Sequence, residues 1–418
     1  MITQSSAIFK IPVEIRLDIY ALVGEDSDYQ LQTPLLRVCH QIRAEALPTV
    51  LNAQRKSFHN VDKLSRWTSN GYPHLLQHWG DISLTLEEDS LRALRKDAYQ
   101  QAETASTPHG LVARYRELLN QLSEEDRTSP LRPEWYRDYT DSGNDDHDNS
   151  GPGKVEELIS SLAAVRKIKF LWMYMGMSWR LNWPPDSPVP DFSVEYQLSV
   201  EVISHYMKNL RQLVLQFDNC RCQALVSLDF LKGLGNLRSL SFSGYSKSTP
   251  EETLELLRCL EHFEELKIFP GGSKSSIPKN TDMVSITPHV IRHLRPLKSL
   301  DIAVVDTTRE CPFLTTAMIA ALYQHTESLE KLHLSWDDWD TKFDMEFPLD
   351  AAVFEEVVGL VAALSRVKNL YLCFRLPPEY KEFDIKAMVP ESAVNPYTNF
   401  RFEDHVKIPY VMKYVWGG

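Results

Sequence analysis

The apolar positions of this chain fall into one short phrase, apolar-x-x-Leu/Ile-x-apolar, that recurs eight times. It reads Trp79-Gly-Asp-Ile82-Ser-Leu84, then Val165-Arg-Lys-Ile168-Lys-Phe170, Leu210-Arg-Gln-Leu213-Val-Leu215 and Leu237-Arg-Ser-Leu240-Ser-Phe242. It returns as Phe263-Glu-Glu-Leu266-Lys-Ile268, Leu297-Lys-Ser-Leu300-Asp-Ile302, Leu329-Glu-Lys-Leu332-His-Leu334 and Val367-Lys-Asn-Leu370-Tyr-Leu372. The last two apolar positions of each copy lie two residues apart, which puts both side chains on one face of a β-strand. The first lies three residues before the centre and closes the preceding turn or helix onto the same core. A single unit leaves its apolar face wet, and a stacked neighbour buries it.

After Ile168 the intervals between centres run from 26 to 45 residues. They leave room for a full helix in each unit. Apolar residues at helical spacing occur in Leu198–Met207, Thr253–Leu260, Thr316–Tyr323 and Ala352–Leu364. Each unit is therefore predicted to run strand, loop, helix, return, since parallel strands need such crossovers. Helices are wider than strands, so the stack is expected to curve with its sheet inside and its helices outside.

The pattern resembles leucine-rich repeats over roughly residues 155–375, and more weakly over 75–86. The predicted fold class is thus α/β, a leucine-rich-repeat solenoid covering 61–375. Residues 88–153 read as a helical insertion with an acidic linker. Residues 376–418 leave the phrase, are rich in aromatics, and are expected to form a C-terminal cap.

Ahead of the array, Ile11-Pro12-Val13-Glu14-Ile15-Arg16-Leu17-Asp18-Ile19-Tyr20 reads as a helix with Pro12 in the first turn, where its missing N–H costs nothing. Ile11, Ile15, Ile19 and Leu22 form one stripe. A second helix is predicted from Pro34 and is expected to end or kink at Pro48. Ile-Pro-x-Glu-Ile-x-x-x-Ile-Tyr followed by Leu-x-x-x-His-Gln-Ile-Arg-x-Glu-Ala-Leu resembles the F-box-like module of many fungal proteins, over residues 1–60. The resemblance implies docking on a Skp1-like adaptor of a cullin ubiquitin ligase, through Ile11, Pro12, Ile15, Ile19, Leu36, Val38 and Cys39. It also implies a protein substrate held by the repeats behind. The usual module carries Trp where this chain has Ile42. A helical cap sealing the end of the solenoid is the other reading of the same helices.

Net charge is −12, so nucleic acid is not an expected partner. No run of about 18 apolar residues reads as a membrane span. The first residues lack the basic and apolar segments of a signal peptide. Six sparse cysteines suit reduced thiols in the cytoplasm or nucleus. Cys220-Arg-Cys222 has no second pair at zinc spacing, and Asp337, Asp338, Asp340 and Asp344 miss the calcium-loop pattern. Neither metal nor cofactor is expected. Catalytic signatures such as Gly-x-Ser-x-Gly or His-Glu-x-x-His do not occur, so the chain is not read as an enzyme.

Residues flanking each central Leu/Ile point away from the core, towards the expected concave face. The row just after it holds Lys169, Val214, Ser241, Lys267, Asp301, His333 and Tyr371, and the next row includes Phe269. These are the candidate substrate-binding residues. The loops leaving the strands add Trp179, Trp183, Trp336 and Trp339, which suit either an interface or packing beneath the loops.

Overall fold

The computed structural model describes residues 7–25, 40–53, 55–70, 81–87, 154–165, 168–176, 193–217, 226–269, 283–304, 313–336, 349–380 and 392–401, and singly 76, 79, 383 and 390. The predicted insertion at 88–153 lies outside them.

Ten strands form one sheet in chain order, and every neighbouring pair is parallel. They are β1 Arg55–Phe58, β2 Asp81–Glu87, β3 Phe170–Gly176, β4 Gln212–Phe217 and β5 Ser239–Phe242. The row continues with β6 Glu265–Ile268, β7 Ser299–Val304, β8 Lys331–Trp336, β9 Asn369–Arg375 and β10 Asn395–Arg401. The chain is thus a solenoid-like α/β fold.

Its helices are α1 Val13–Glu25, α2 His40–Ala53, α3 Val61–Asn70, α4 Lys154–Ala164 and α5 Ser193–Tyr206. They are followed by α6 Pro250–Cys259, α7 Pro288–His293, α8 Thr316–Leu322 and α9 Ala351–Ala363. A short 3-10 helix at Leu228–Gly233 packs between α5 and α6, and α6, α7, α8 and α9 pack each on the next.

The register is a column of buried aliphatic residues. Leu171, Leu213, Leu240, Leu266, Leu300, Leu332 and Leu370 sit side by side in successive strands. Ile82 opens the column and is paired with Leu171. Seven of the eight predicted centres therefore occupy the column; Ile168 does not. Both Val165-x-x-Ile168-x-Phe170 and Ile168-x-x-Leu171-x-Met173 fit the phrase, and the second sets the register. Ile168 instead closes the turn before β3, with its N–H on the Val165 carbonyl.

A second ladder locks the units at the N-terminal edge of the sheet. The carbonyls of Lys169, Arg211, Arg238, Glu264, Lys298 and Glu330 each accept two successive N–H groups from the following unit, at 2.7–3.1 Å. Glu264, for example, takes the N–H groups of Lys298 and Ser299.

Two strands lie beyond the predicted bounds of the array. β1 precedes the expected first strand, and β10 continues the sheet into the region expected to be only a cap. Helix α2 does not end at Pro48; it runs on to Ala53. Helix starts follow the local chemistry of the orphan N–H groups. Thr249 and Glu252 form a reciprocal capping box with Pro250 in the first turn of α6. At α7 Thr287 accepts the Val290 N–H ahead of Pro288, without the reciprocal bond, and Thr315 and Asp350 cap α8 and α9.

One core of aliphatic and aromatic residues runs from Phe58 to Leu376. Helices α1 and α2 share a small core of their own, Tyr20, Ile42, Ala46 and Val50. Two details fix the interior of the array. Gly244 follows β5 at φ +83, and a Cβ there would stand 2.5 Å from the Phe313 ring. His325 is buried, accepts the Leu297 N–H at 3.2 Å through Nδ1, and meets the Ile291 carbonyl at 2.9 Å through Nε2. It is a neutral crosslink between the α7 end and the following turn.

Gly244→Ala is expected to lower stability by about 1–3 kcal/mol, read from the urea midpoint, because backbone and space both refuse the methyl. His325→Ala leaves a buried N–H and carbonyl unmatched and is expected to cost about 2–4 kcal/mol. Burial holds the His325 imidazole below its ordinary pKa, so its contribution is present above that ordinary value, about 6.5, and is lost as pH falls below it. Urea midpoints at pH 7.5 and 5.5 are expected to differ less in His325→Gln, a neutral mimic, than in the wild type.

Candidate functional site

Alternation along the strands sends the central residue and its +2 neighbour into the core. Leu266 and Ile268 of β6, and Leu332 and Leu334 of β8, are all buried this way. The residue between them is left for the opposite face. That row is Trp172, Val214, Ser241, Lys267, Asp301, His333 and Tyr371, each directly beside the next in register. Six of the seven predicted row residues are therefore neighbours. Lys169 is not among them: it lies two residues before Leu171, where its carbonyl serves the N-terminal ladder. Trp172 takes its place, a consequence of the register at β3.

The row has distinct chemistry at its centre. His333 Nδ1 lies 2.9 Å from Asp301 Oδ1. The contact is not a hydrogen bond: Asp301 Oδ1, like His333 Nε2, is buried and has no hydrogen-bond partner. The edge of one ring meets the other where His333 packs on Tyr371, centroids 4.1 Å apart. Ser241 is only 2% exposed and its Oγ also has no partner. Lys267 has no ion-pair partner among the described residues.

That contrasts with the N-terminal edge, where charges are matched. Glu264 binds Lys298 at 2.6 Å and meets Arg238 at 3.6 Å, and Glu330 binds Lys368 at 2.8 Å. The hydrogen bond to Glu264 holds the Lys298 ammonium above its usual pKa, and the Lys368 bond holds the Glu330 carboxyl below its own. These pairs are exposed and contribute little to stability. A shallow cleft of about 260 Å³ opens at this edge, between Arg238, Phe263, Glu264, Arg295 and Lys298, away from the row.

The next row of the same face is tighter. Ser243, Ala303, Ser335 and Cys373 are buried, and Phe269 is half-buried just past β6, its N–H on the Phe242 carbonyl at 2.8 Å. Trp336 ends β8, whereas Trp179, Trp183 and Trp339 lie outside the described residues, as do Cys220, Cys222 and the 337–344 acidic run. Among the described residues no group of three or more His, Cys, Asp or Glu is placed to hold a metal, and no helix is long and apolar enough to cross a membrane.

Helix α1 is a second surface. Arg16 forks onto Glu45 of α2 with both contacts at 2.9 Å, and a third donor reaches the Ile11 carbonyl. Tyr20 donates to the same carboxylate at 3.4 Å and is fully buried. The fork holds the Glu45 carboxyl below its ordinary pKa. So the face that packs on α2 carries Arg16 and Tyr20, and the apolar stripe faces out. Ile15 is 50% exposed, Ile19 39% and Leu22 67%. Pro12 is exposed and Ile11 half-buried, while Leu36, Val38 and Cys39 lie outside the described residues.

No protein-family model matches the chain, and no curated protein matches it either.

Lys267 and Tyr371 are only half-buried, so Lys267→Glu combined with Tyr371→Ala is expected to shift the stability read from the urea midpoint by no more than about 1 kcal/mol. A loss of several kcal/mol would show that the row is part of the packing and not a free surface.

Proposed function

We propose that this chain is a substrate-recognition adaptor of a Skp1–cullin–F-box type ubiquitin ligase. In this reading α1 and α2 are the F-box-like module that docks on a Skp1-like adaptor. The parallel array is a leucine-rich-repeat solenoid whose Val214–Tyr371 row holds a protein substrate. The chain contributes no catalytic group. It raises the concentration of a bound target beside a conjugating enzyme carried by the ligase.

The observation that carries the reading is the outward apolar stripe of α1. Ile15, Ile19 and Leu22 follow helical spacing, yet the helix packs on α2 through its other face. An amphipathic helix ordinarily buries such a stripe. Here a bidentate ion pair and a buried tyrosine fix the helix with the stripe free, which is the geometry a docking helix needs.

The test is co-purification with Skp1. The wild type is expected to form the complex, and Ile15→Asp with Ile19→Asp is expected to abolish it while leaving the melting temperature within a few degrees, because both positions are exposed. If the wild type fails to bind, the chain is a protein-binding scaffold of the same shape without a ligase; if the double variant binds equally well, the α1 stripe is not the docking surface and the adaptor reading loses the observation that carries it.

A further inference from the structure

Two side chains on the helical layer, apart from the strand row and from α1, are placed to act on one ligand. We infer that His289 and His293 of α7 chelate a divalent transition-metal ion, with Cu(II) preferred over Zn(II). The inference does not depend on the adaptor reading.

His289 and His293 are four residues apart on α7, and side chains at that spacing lie one above the other on a helix face. Both are exposed, and their ring centroids are 4.4 Å apart with the planes tilted by 41°. His293 Nδ1 lies 2.9 Å from the His289 carbonyl oxygen. A carbonyl only accepts, so Nδ1 carries the proton and Nε2 keeps its lone pair. A metal-bound imidazole is held in the same way, its other N–H donated to a carbonyl or carboxylate. The bond also keeps the His293 ring over the preceding turn, against His289. The His289 ring makes no hydrogen bond among the described residues, so its nitrogens are open to a ligand.

The separation of the rings selects the metal. A ligating nitrogen stands ~2.0–2.1 Å from the ion and about 1.1 Å from the centre of its own ring, so the ion lies roughly 3.2 Å from each centroid. Two centroids 4.4 Å apart then subtend roughly 90° at the ion. That is the angle between neighbouring ligands in square-planar and octahedral coordination, narrower than the tetrahedral angle of structural Zn(II). Imidazole suits copper, and affinity among the divalent first-row metals peaks at Cu(II). No third His, Cys, Asp or Glu joins the pair among the described residues, so water completes the coordination. Two cations stand close by. Arg292 precedes His293 in the chain, and Arg258 donates from Nε to the His293 carbonyl at 2.9 Å. Their charge opposes the ion and keeps the affinity on the order of micromolar.

The test is titration of the full chain with Cu(II) at neutral pH, read by electron paramagnetic resonance, beside His289→Gln, His293→Gln and the double variant. The wild type is expected to take up one ion about tenfold more tightly than its remaining histidines do, with splitting from two imidazole nitrogens. Each single variant is expected to lose this site as completely as the double variant, because one imidazole cannot chelate. Circular dichroism is expected to be unchanged in all three, since both positions are exposed. Zn(II) is expected to bind the wild type about tenfold more weakly than Cu(II). No Cu(II) binding, binding that survives the double substitution, or single variants that each lose about half of it would overturn the inference, the last being the behaviour of two independent surface histidines. Zn(II) bound as tightly as Cu(II) would overturn the preference read from the ring separation.

Discussion

The structure depends on one requirement: no unit can bury its own apolar face. The column from Ile82 through Leu171 to Leu370 meets it, each residue nearly fully buried between the neighbours before and after it. Burying one such side chain contributes about 1.5–3 kcal/mol, and each buried face belongs to two units at once. The carbonyl ladder at the N-terminal edge adds direction. One oxygen serving two N–H groups of the next unit fixes both register and spacing where the chain turns into the strand. Helices then fill the return path, started by Thr-Pro and Asp caps that satisfy their first N–H groups.

The same constraint creates the candidate site. With every second strand residue committed to the column, the residues between are released from core packing and brought into line across the sheet. Residues as distant in sequence as Ser241 and Tyr371 become members of one row, and Asp301, His333 and Tyr371 touch in succession. The row also holds a hydroxyl and an imidazole nitrogen that are buried without partners, at Ser241 and His333. At the N-terminus a different economy holds. The pair Arg16–Glu45 and the buried Tyr20 occupy the contact between α1 and α2, and an apolar stripe remains outside.

Much of this is legible in the sequence because the phrase has period two at its end and is repeated. Ambiguity enters where the phrase overlaps itself. Val165, Ile168, Leu171 and Met173 are all buried, so apolar spacing alone admits two registers three residues apart, and only pairing with β4 decides between them. That is why Trp172 belongs to the row and Lys169 does not. β1 escapes the pattern because Arg55-Lys-Ser-Phe58 carries one apolar residue, and β10 because Pro396 stands where the column calls for leucine. The stripe on α1 is plain in the sequence, but its direction is not. Spacing alone favours burying Ile15 and Ile19, and it is the long-range pairing of Arg16 with Glu45 that turns them outward. The Asp301–His333 contact is likewise invisible until register places one beside the other.

Amide hydrogen exchange on Leu266→Ala tests the shared column most directly. Leu266 sits in its middle, and the truncation costs about 2–5 kcal/mol at a site of this kind. If the strands hold one another up, protection falls together in β5, β6 and β7, although only β6 is altered. Loss confined to β6, with β5 and β7 protected as before, would show that the units stand independently and would contradict the account.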